Sequence, residues 1–178
     1  NEFEAALCEY TGAKYAVAVN SGTAALYLAY RSAKARTVVT TPLTFVATAN
    51  AALLAGCDVA FKDVDPETGN LALNGSEHGY DLAVPVHFAG RAAPLPPPRF
   101  DPSGPQLKPV LIEDACHALG AMDFDGCSRV GSCAHSLATC FSFHPVKPIT
   151  TGEGGAVTTN DQGFADEVRC LRSHGRRD

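Results

Sequence analysis

The sequence predicts an α/β fold, a mostly parallel sheet with helices on both faces. Short apolar runs alternate along the chain with amphipathic helical patterns, the order that builds a parallel sheet. The 178 residues, 46% hydrophobic and 19% charged, suffice for one domain with its own core. Phe3, Leu7 and Tyr10 recur at helical spacing, so a helix is expected over residues 2–11 with Gly12 at its end. Tyr15–Val19 reads as a strand, Asn20–Thr23 as a turn and Ala24–Arg31 as a helix. Thr37–Thr40 is a strand that stops before Pro42, Val46–Leu54 a helix that stops at Gly56, and Val59–Lys62 a strand followed by a turn over Asp65–Gly69. Leu82–His87, Val110–Glu113, 137–143 and 155–159 read as further strands, and Asp161–Arg172 has a helical charge pattern. The stretch Gly90–Pro109 holds seven of the twelve prolines and reads as an extended surface connection.

Composition narrows the function. A net charge of -5 and a pI near 5.6 argue against an electrostatic nucleic-acid binder. No apolar run approaches the roughly 18 residues that span a bilayer, and no signal peptide is visible after Asn1. Seven cysteines, an odd number without C-x-x-C spacing, lie mostly among apolar residues. They suggest free thiols and a reducing, cytoplasmic compartment. None of the six histidines forms an i,i+4 pair, so no metal site is expected. The chain does not begin with Met, which suggests a fragment or a processed form.

In open α/β sheets ligands sit beyond the carboxyl ends of the strands, and three polar groups fall there. Ser21-Gly22-Thr23 opens a helix; it is either a plain N-cap or, through Gly22 and the free amides, a phosphate site. Asp114, after Val110–Glu113, is either a helix N-cap or a carboxylate that partners a cation. Lys147 lies between Pro145 and Pro148 in an irregular loop, with Gly152-Glu-Gly-Gly155 close behind. A loop lysine is usually a solvated charge; as a Schiff-base lysine it needs a fixed position and a tuned amine. Phe45 by itself reads as a core residue at a helix start.

Taken together, these motifs and their order resemble the DegT/DnrJ/EryC1/StrS family of aminotransferases. The resemblance covers Glu2–Tyr30, Val38–Asn70, Val84–Arg91 and Leu111–Gly175, and its most specific run is Phe141-Ser-Phe-His-Pro-Val-Lys-Pro-Ile-Thr-Thr-Gly-Glu-Gly-Gly-Ala-Val-Thr-Thr-Asn160. It implies the large domain of a pyridoxal-phosphate-dependent transferase of fold type I, aspartate aminotransferase-like and here truncated. Residues 1–160 would be the cofactor-binding domain and 161–178 the start of a helix toward a C-terminal domain. By the resemblance Lys147 is the catalytic lysine that holds pyridoxal 5'-phosphate, Asp114 pairs with the pyridine nitrogen and His117 approaches the ring hydroxyl. Gly22, Thr23 and Ser142 cradle the phosphate, and Phe45 stacks on the ring. Related 3-dehydratases carry His at the lysine position, so Lys147 favours transamination. Within the family the motifs are most like the branch that aminates a UDP-linked 4-keto-6-deoxy sugar on the route to pseudaminic acid. The resemblance implies a nucleotide-sugar substrate, glutamate as amino donor and a homodimer in the full-length parent. The other reading is a non-catalytic cofactor-binding fragment. The short connection Arg31–Arg36 and the stretch 92–109 depart from the family's pattern.

Overall fold

The computed structural model describes residues 1–73, 77, 79–95 and 109–176. Among them are four α-helices, α1 (Glu2–Thr11), α2 (Gly22–Ser32), α3 (Ala47–Leu54) and α4 (Gln162–Arg172). The strands are β1 (Tyr15–Val19), β2 (Thr37–Thr40), β3 (Asp58–Phe61), β4 (Leu82–Ala83), β5 (Val110–Asp114), β6 (Ala138–Ser142) and β7 (Gly155–Thr159). They form one sheet in the order β1-β7-β6-β5-β4-β2-β3. β3, β2, β4, β5 and β6 run parallel, and β7 is antiparallel to both β6 and β1. The expected α/β class, mostly parallel, is the architecture found.

Local chemistry explains the element ends. Asn1 and Glu4 close a capping box on α1, whose end is set by Gly12 in the left-handed region. Ser21 and Asp161 cap α2 and α4 by accepting from Ala24 N and Phe164 N. α2 begins two residues earlier than the apolar pattern suggested, because Ser21 rather than Thr23 is the cap. The expected strand over Leu82–His87 shrinks to two residues. Pro85 has no amide to offer the ladder, and Val86 is left with an isolated bridge to Asp114. For the Pro-rich stretch, residues 96–108 lie outside the described residues, and 91–95 have no regular structure. No helix among the described residues is long and apolar enough to cross a membrane.

Alternation along the strands separates two cores. Val17, Val38, Leu82, Ile112, Cys140 and Val157 face α2, α3 and α4. Ala16, Phe141 and Ala156 face the other way, against Leu7 of α1 and Ala115, Ala118 and Val130 of the irregular segment after β5. Helices therefore lie on both faces, but α1 shares its face with irregular chain. Arg172 of α4 donates to Ala18 O and to Glu4, which also accepts from Ala18 N, so both ends of the chain are tied to β1.

β5 places consecutive carboxylates on opposite faces. Glu113 enters the α1 side and is almost fully buried with His87, at 2.7 Å. The Ala93 amide donates to His87 Nδ1, so the ring hydrogen sits on Nε2 and points at Glu113. Ser136 and Thr139 hydroxyls also donate to Glu113. Burial alone would raise this carboxyl, but the hydrogen bonds from His87, Ser136 and Thr139 hold it below its ordinary value of 4.5. Glu113→Ala strands the buried donors of His87 and Thr139 and the half-buried Ser136 hydroxyl, and is expected to cost about 3–5 kcal/mol in urea unfolding. With the folded value lowered, the unfolded chain binds more protons below pH 4.5. Wild-type stability therefore falls as pH drops from there through the folded value, and the alanine variant lacks that component of the acid loss.

Candidate active site

The carboxyl ends of the parallel strands bring together most of the residues singled out in the sequence. Register places Val19, Gly155 and Ser142 side by side at the ends of β1, β7 and β6, and Asp114 opposite Cys140 two residues back along β6. Gly155 has no room for a side chain: a Cβ there would land on the Ser21 carbonyl. This close approach seats the first turn of α2 on the edge of the sheet.

Gly22 lies in the same contact. A Cβ on it would sit 2.8 Å from Ser142 Cβ and 3.0 Å from Cys116 Sγ. Ser21 takes the Ala24 amide with its hydroxyl and the Ala25 amide with its carbonyl. That leaves the Gly22 and Thr23 amides at the positive end of α2, beside the Ser142 hydroxyl, for an anionic ligand.

Asp114 ends β5 with only 5% of its surface exposed. Thr48 Oγ1 donates to its Oδ2 at 2.6 Å, and the Cys116 amide donates to its Oδ1 at 3.2 Å. No helix follows; residues 115–121 run as turns, so Asp114 is the cap of a short side-chain turn. Thr48 sits in the first turn of α3 and its hydroxyl is 2.7 Å from that of Thr44. Its carbonyl accepts from the fully buried Tyr30 hydroxyl of α2 at 3.2 Å. Two helices thus hold the orientation of one carboxylate. Thr48 and Cys116 are the residues that sequence reasoning missed. A Thr pair at i,i+4 was the available signal, and it reads as ordinary helix polarity.

Lys147 is half-buried in the loop that joins β6 to β7. Its amide closes a turn onto His144 O at 2.9 Å. The loop base is fixed at Phe143, whose carbonyl accepts from Thr150 Oγ1 and Thr151 N and whose amide donates to Gly154 O. Phe143 is buried and packs edge-on against Phe3 of α1, with ring centroids 5.3 Å apart. His117, in the turn after Asp114, lies within electrostatic reach of both Lys147 and Asp114. Partial burial and then the Lys147 charge lower its pKa below the ordinary 6.5, against the pull of Asp114. Cys116 is pushed well up by burial and then by the neighbouring Asp114 charge, and remains a thiol. Phe45 is not a core residue: it is 69% exposed at the entry to α3, and its carbonyl accepts from Thr48. Gly22 and Ser142 are thus in mutual contact, His117 lies within electrostatic reach of Asp114 and of Lys147, and Phe45 stands at the rim of the same edge.

This edge therefore gathers two unpaired helix amides, an oriented buried carboxylate and a lysine on a braced loop. The chain belongs to the DegT/DnrJ/EryC1/StrS aminotransferase family, whose sequence model matches residues 1–178. It is 45% identical over 185 residues to the UDP-4-amino-4,6-dideoxy-N-acetyl-beta-L-altrosamine transaminase of Campylobacter jejuni, across 98% of this chain and 47% of that protein. Among solved structures it resembles Helicobacter pylori PseC, an aminotransferase of pseudaminic acid biosynthesis, with TM-score 0.82 and 34% identity over 99% of this chain and 49% of that one. A family aminotransferase from Brucella abortus superposes with TM-score 0.86 at 30% identity, over 99% of this chain and 50% of that one. The chain spans about half the length of the relatives it matches.

Gly22→Ala drives a methyl into Ser142 and Cys116. It is expected to cost about 1–3 kcal/mol, divided between folding and binding of a phosphate-bearing ligand. Melting curves with and without pyridoxal phosphate measure both, and wild-type values in each would show that the contact is slack.

Proposed function

We propose that this chain forms the cofactor domain of a pyridoxal 5'-phosphate-dependent aminotransferase that moves an amino group from glutamate to a nucleotide-linked 4-keto-6-deoxy sugar. The observation that carries the reading is the convergence of Asp114, Lys147 and the Gly22–Ser142 contact on one edge of the sheet. The residues fit the cofactor. The absence of a side chain at Gly22 lets α2 close on Ser142, which brings two free amides beside the Ser142 hydroxyl and suits a phosphate. Asp114 receives only neutral donors from the chain, Thr48 and the Cys116 amide, which suits a protonated ring nitrogen as its charged partner.

When bound, the cofactor supplies an electron sink for the carbanion formed on deprotonation. The chain's own residues do the rest. Asp114, oriented by Thr48, would hold the proton on the ring nitrogen. Lys147 would anchor the cofactor, and its freed Nζ would carry the proton that leaves Cα of the amino donor and, in the return half-reaction, the one that reaches C4 of the sugar. His117, neutral at pH 7 because of its lowered pKa, offers a ring nitrogen to the cofactor's ring hydroxyl. Gly22, Thr23 and Ser142 hold the phosphate, and Phe45 covers the ring. The UDP-linked sugar of the altrosamine branch is the substrate class favoured by the 45% identity to the Campylobacter enzyme. A homodimer suits the exposed apolar residues Phe45, Val46, Val146 and Ile149 around this edge. The seven cysteines, all free among the described residues, fit a reducing cytoplasm.

Borohydride treatment of the cofactor-loaded protein should fix the cofactor covalently to the peptide containing Lys147, as read by mass spectrometry, and Lys147→Ala should show no adduct. Adduct on another lysine would overturn the role of Lys147. Asp114→Ala should lower turnover with glutamate and a UDP-4-keto sugar by at least about 100-fold, the scale of losing one preorganised electrostatic group. Cofactor uptake without any amino transfer by the intact protein would instead favour a binding role. The acid limb of kcat/KM should lie below pH 6.5, the ordinary histidine value, and His117→Gln should abolish that limb while retaining a hydrogen-bonding group.

A further inference from the structure

The α1 face of the sheet carries a second group of titratable side chains that the aminotransferase reading does not use. Met122 and Arg129 form an isolated antiparallel bridge, and Asp123 N donates to Ser128 O at 2.8 Å, so residues 122–129 make a small hairpin. Its tip presents Asp123 and Asp125 toward His135, which lies in the segment leading into β6. One donor atom from each of the three lies within 4.8 Å of the other two. Asp125 Oδ1 is occupied by the Cys127 amide at 2.8 Å, which turns Oδ2 toward His135 Nε2 at 3.3 Å. His135 Nδ1 is buried and has no hydrogen-bond partner. The three side chains line a cleft of about 250 Å³, with His87 and Phe124 at its walls.

His135 faces the two carboxylates through Nε2, whereas both nitrogens of the neighbouring His87 are engaged, one by the Ala93 amide and one by Glu113. One imidazole and two carboxylates are the donor set of borderline divalent transition metals. Donor atoms around zinc lie about 2.0–2.2 Å from the ion, so a separation of up to 4.8 Å requires only a small closure of the hairpin tip.

We infer that Asp123, Asp125 and His135 bind a divalent transition-metal cation of the zinc class, with the adjoining cleft leaving coordination positions open to water or a small anion. The spacing Asp-x-Asp followed by His ten residues later is too irregular to signal a metal site in sequence; the hairpin creates it.

The intact cofactor-loaded protein, stripped with chelator, should take up one equivalent of Zn²⁺ in calorimetry. Co²⁺ in its place should give the visible bands of four- or five-coordinate cobalt, with no thiolate charge-transfer band. His135→Asn and Asp125→Asn should each weaken Zn²⁺ binding by at least about tenfold, the lower bound seen even for outer-shell partners. Both should keep the wild-type cofactor absorbance and metal-free melting temperature. Asp125 lies at the exposed hairpin tip, so its variant folds even if the His135 variant does not. No uptake by the wild type at submillimolar Zn²⁺ overturns the proposal and leaves His135 as a plain counter-charge. Uptake of unchanged affinity in both variants also overturns it, by placing the metal on the cysteines or the cofactor. Metal uptake is read without turnover, so the result is independent of the aminotransferase reading.

Discussion

The contact between Gly155 and the Ser21 carbonyl is the constraint on which the rest of the site depends. β7 runs against both of its neighbours, and its first residue meets the end of β1 and the end of β6 at once. Because Gly155 carries no side chain, the turn after β1 can rest directly on the sheet edge. That seats the N-terminus of α2 beside Ser142, and the amides of Gly22 and Thr23 acquire a fixed direction. Any side chain at 155 would lift α2 away from β6 and part Gly22 from Ser142. The β6–β7 loop that carries Lys147 is anchored at the same point, since Gly154 O receives the Phe143 amide. One backbone approach therefore sets the relation between the first turn of α2 and the lysine loop.

β5 shows how a pleat divides labour between adjacent carboxylates. Glu113 and Asp114 have the same charge and neighbouring backbone positions, yet their surroundings give them different tasks. Glu113 is saturated by His87, Ser136 and Thr139, so it is committed to holding the turn over residues 87–93 against β5 and β6. Asp114 keeps one neutral hydroxyl on one oxygen and one amide on the other, at the mouth of the sheet. A carboxylate already surrounded by buried donors has nothing left for a ligand. One that receives a single neutral donor on each oxygen keeps acceptor positions open.

The order of elements was legible in the sequence because the apolar periodicities are strong and the ends are marked by Asn1, Gly12, Ser21 and Asp161. Strand direction was not: nothing in the composition of residues 155–159 distinguishes β7 from its parallel neighbours, and only pairing reveals it. The strand expected through His87 failed at Pro85, where the missing amide outweighs the apolar run. For the site, the positions of Asp114, Ser142 and Lys147 followed from strand ends, which sequence can locate. The support around them did not, because Thr48 reaches Asp114 across 66 residues of chain and Cys116 touches Gly22 through the fold alone. The exposure of Phe45 was also hidden, since an aromatic residue at a helix start is more often buried.

The bracing of Lys147 explains how an irregular loop can hold a side chain in place. Pro145 and Pro148 restrict the backbone on either side, but restriction alone does not fix a position in space. Position comes from Phe143, where the Thr150 hydroxyl and Thr151 amide converge on one carbonyl while the side chain is buried against Phe3. α1, which contributes no residue to the site, thereby supports the lysine loop from beneath. Its own placement rests on Glu4, which receives the Ala18 amide and Arg172 of α4. The loop is thus coupled through α1 to the terminal helix, and fraying of α4 would loosen the lysine before it disturbed Asp114, whose support comes from α2 and α3.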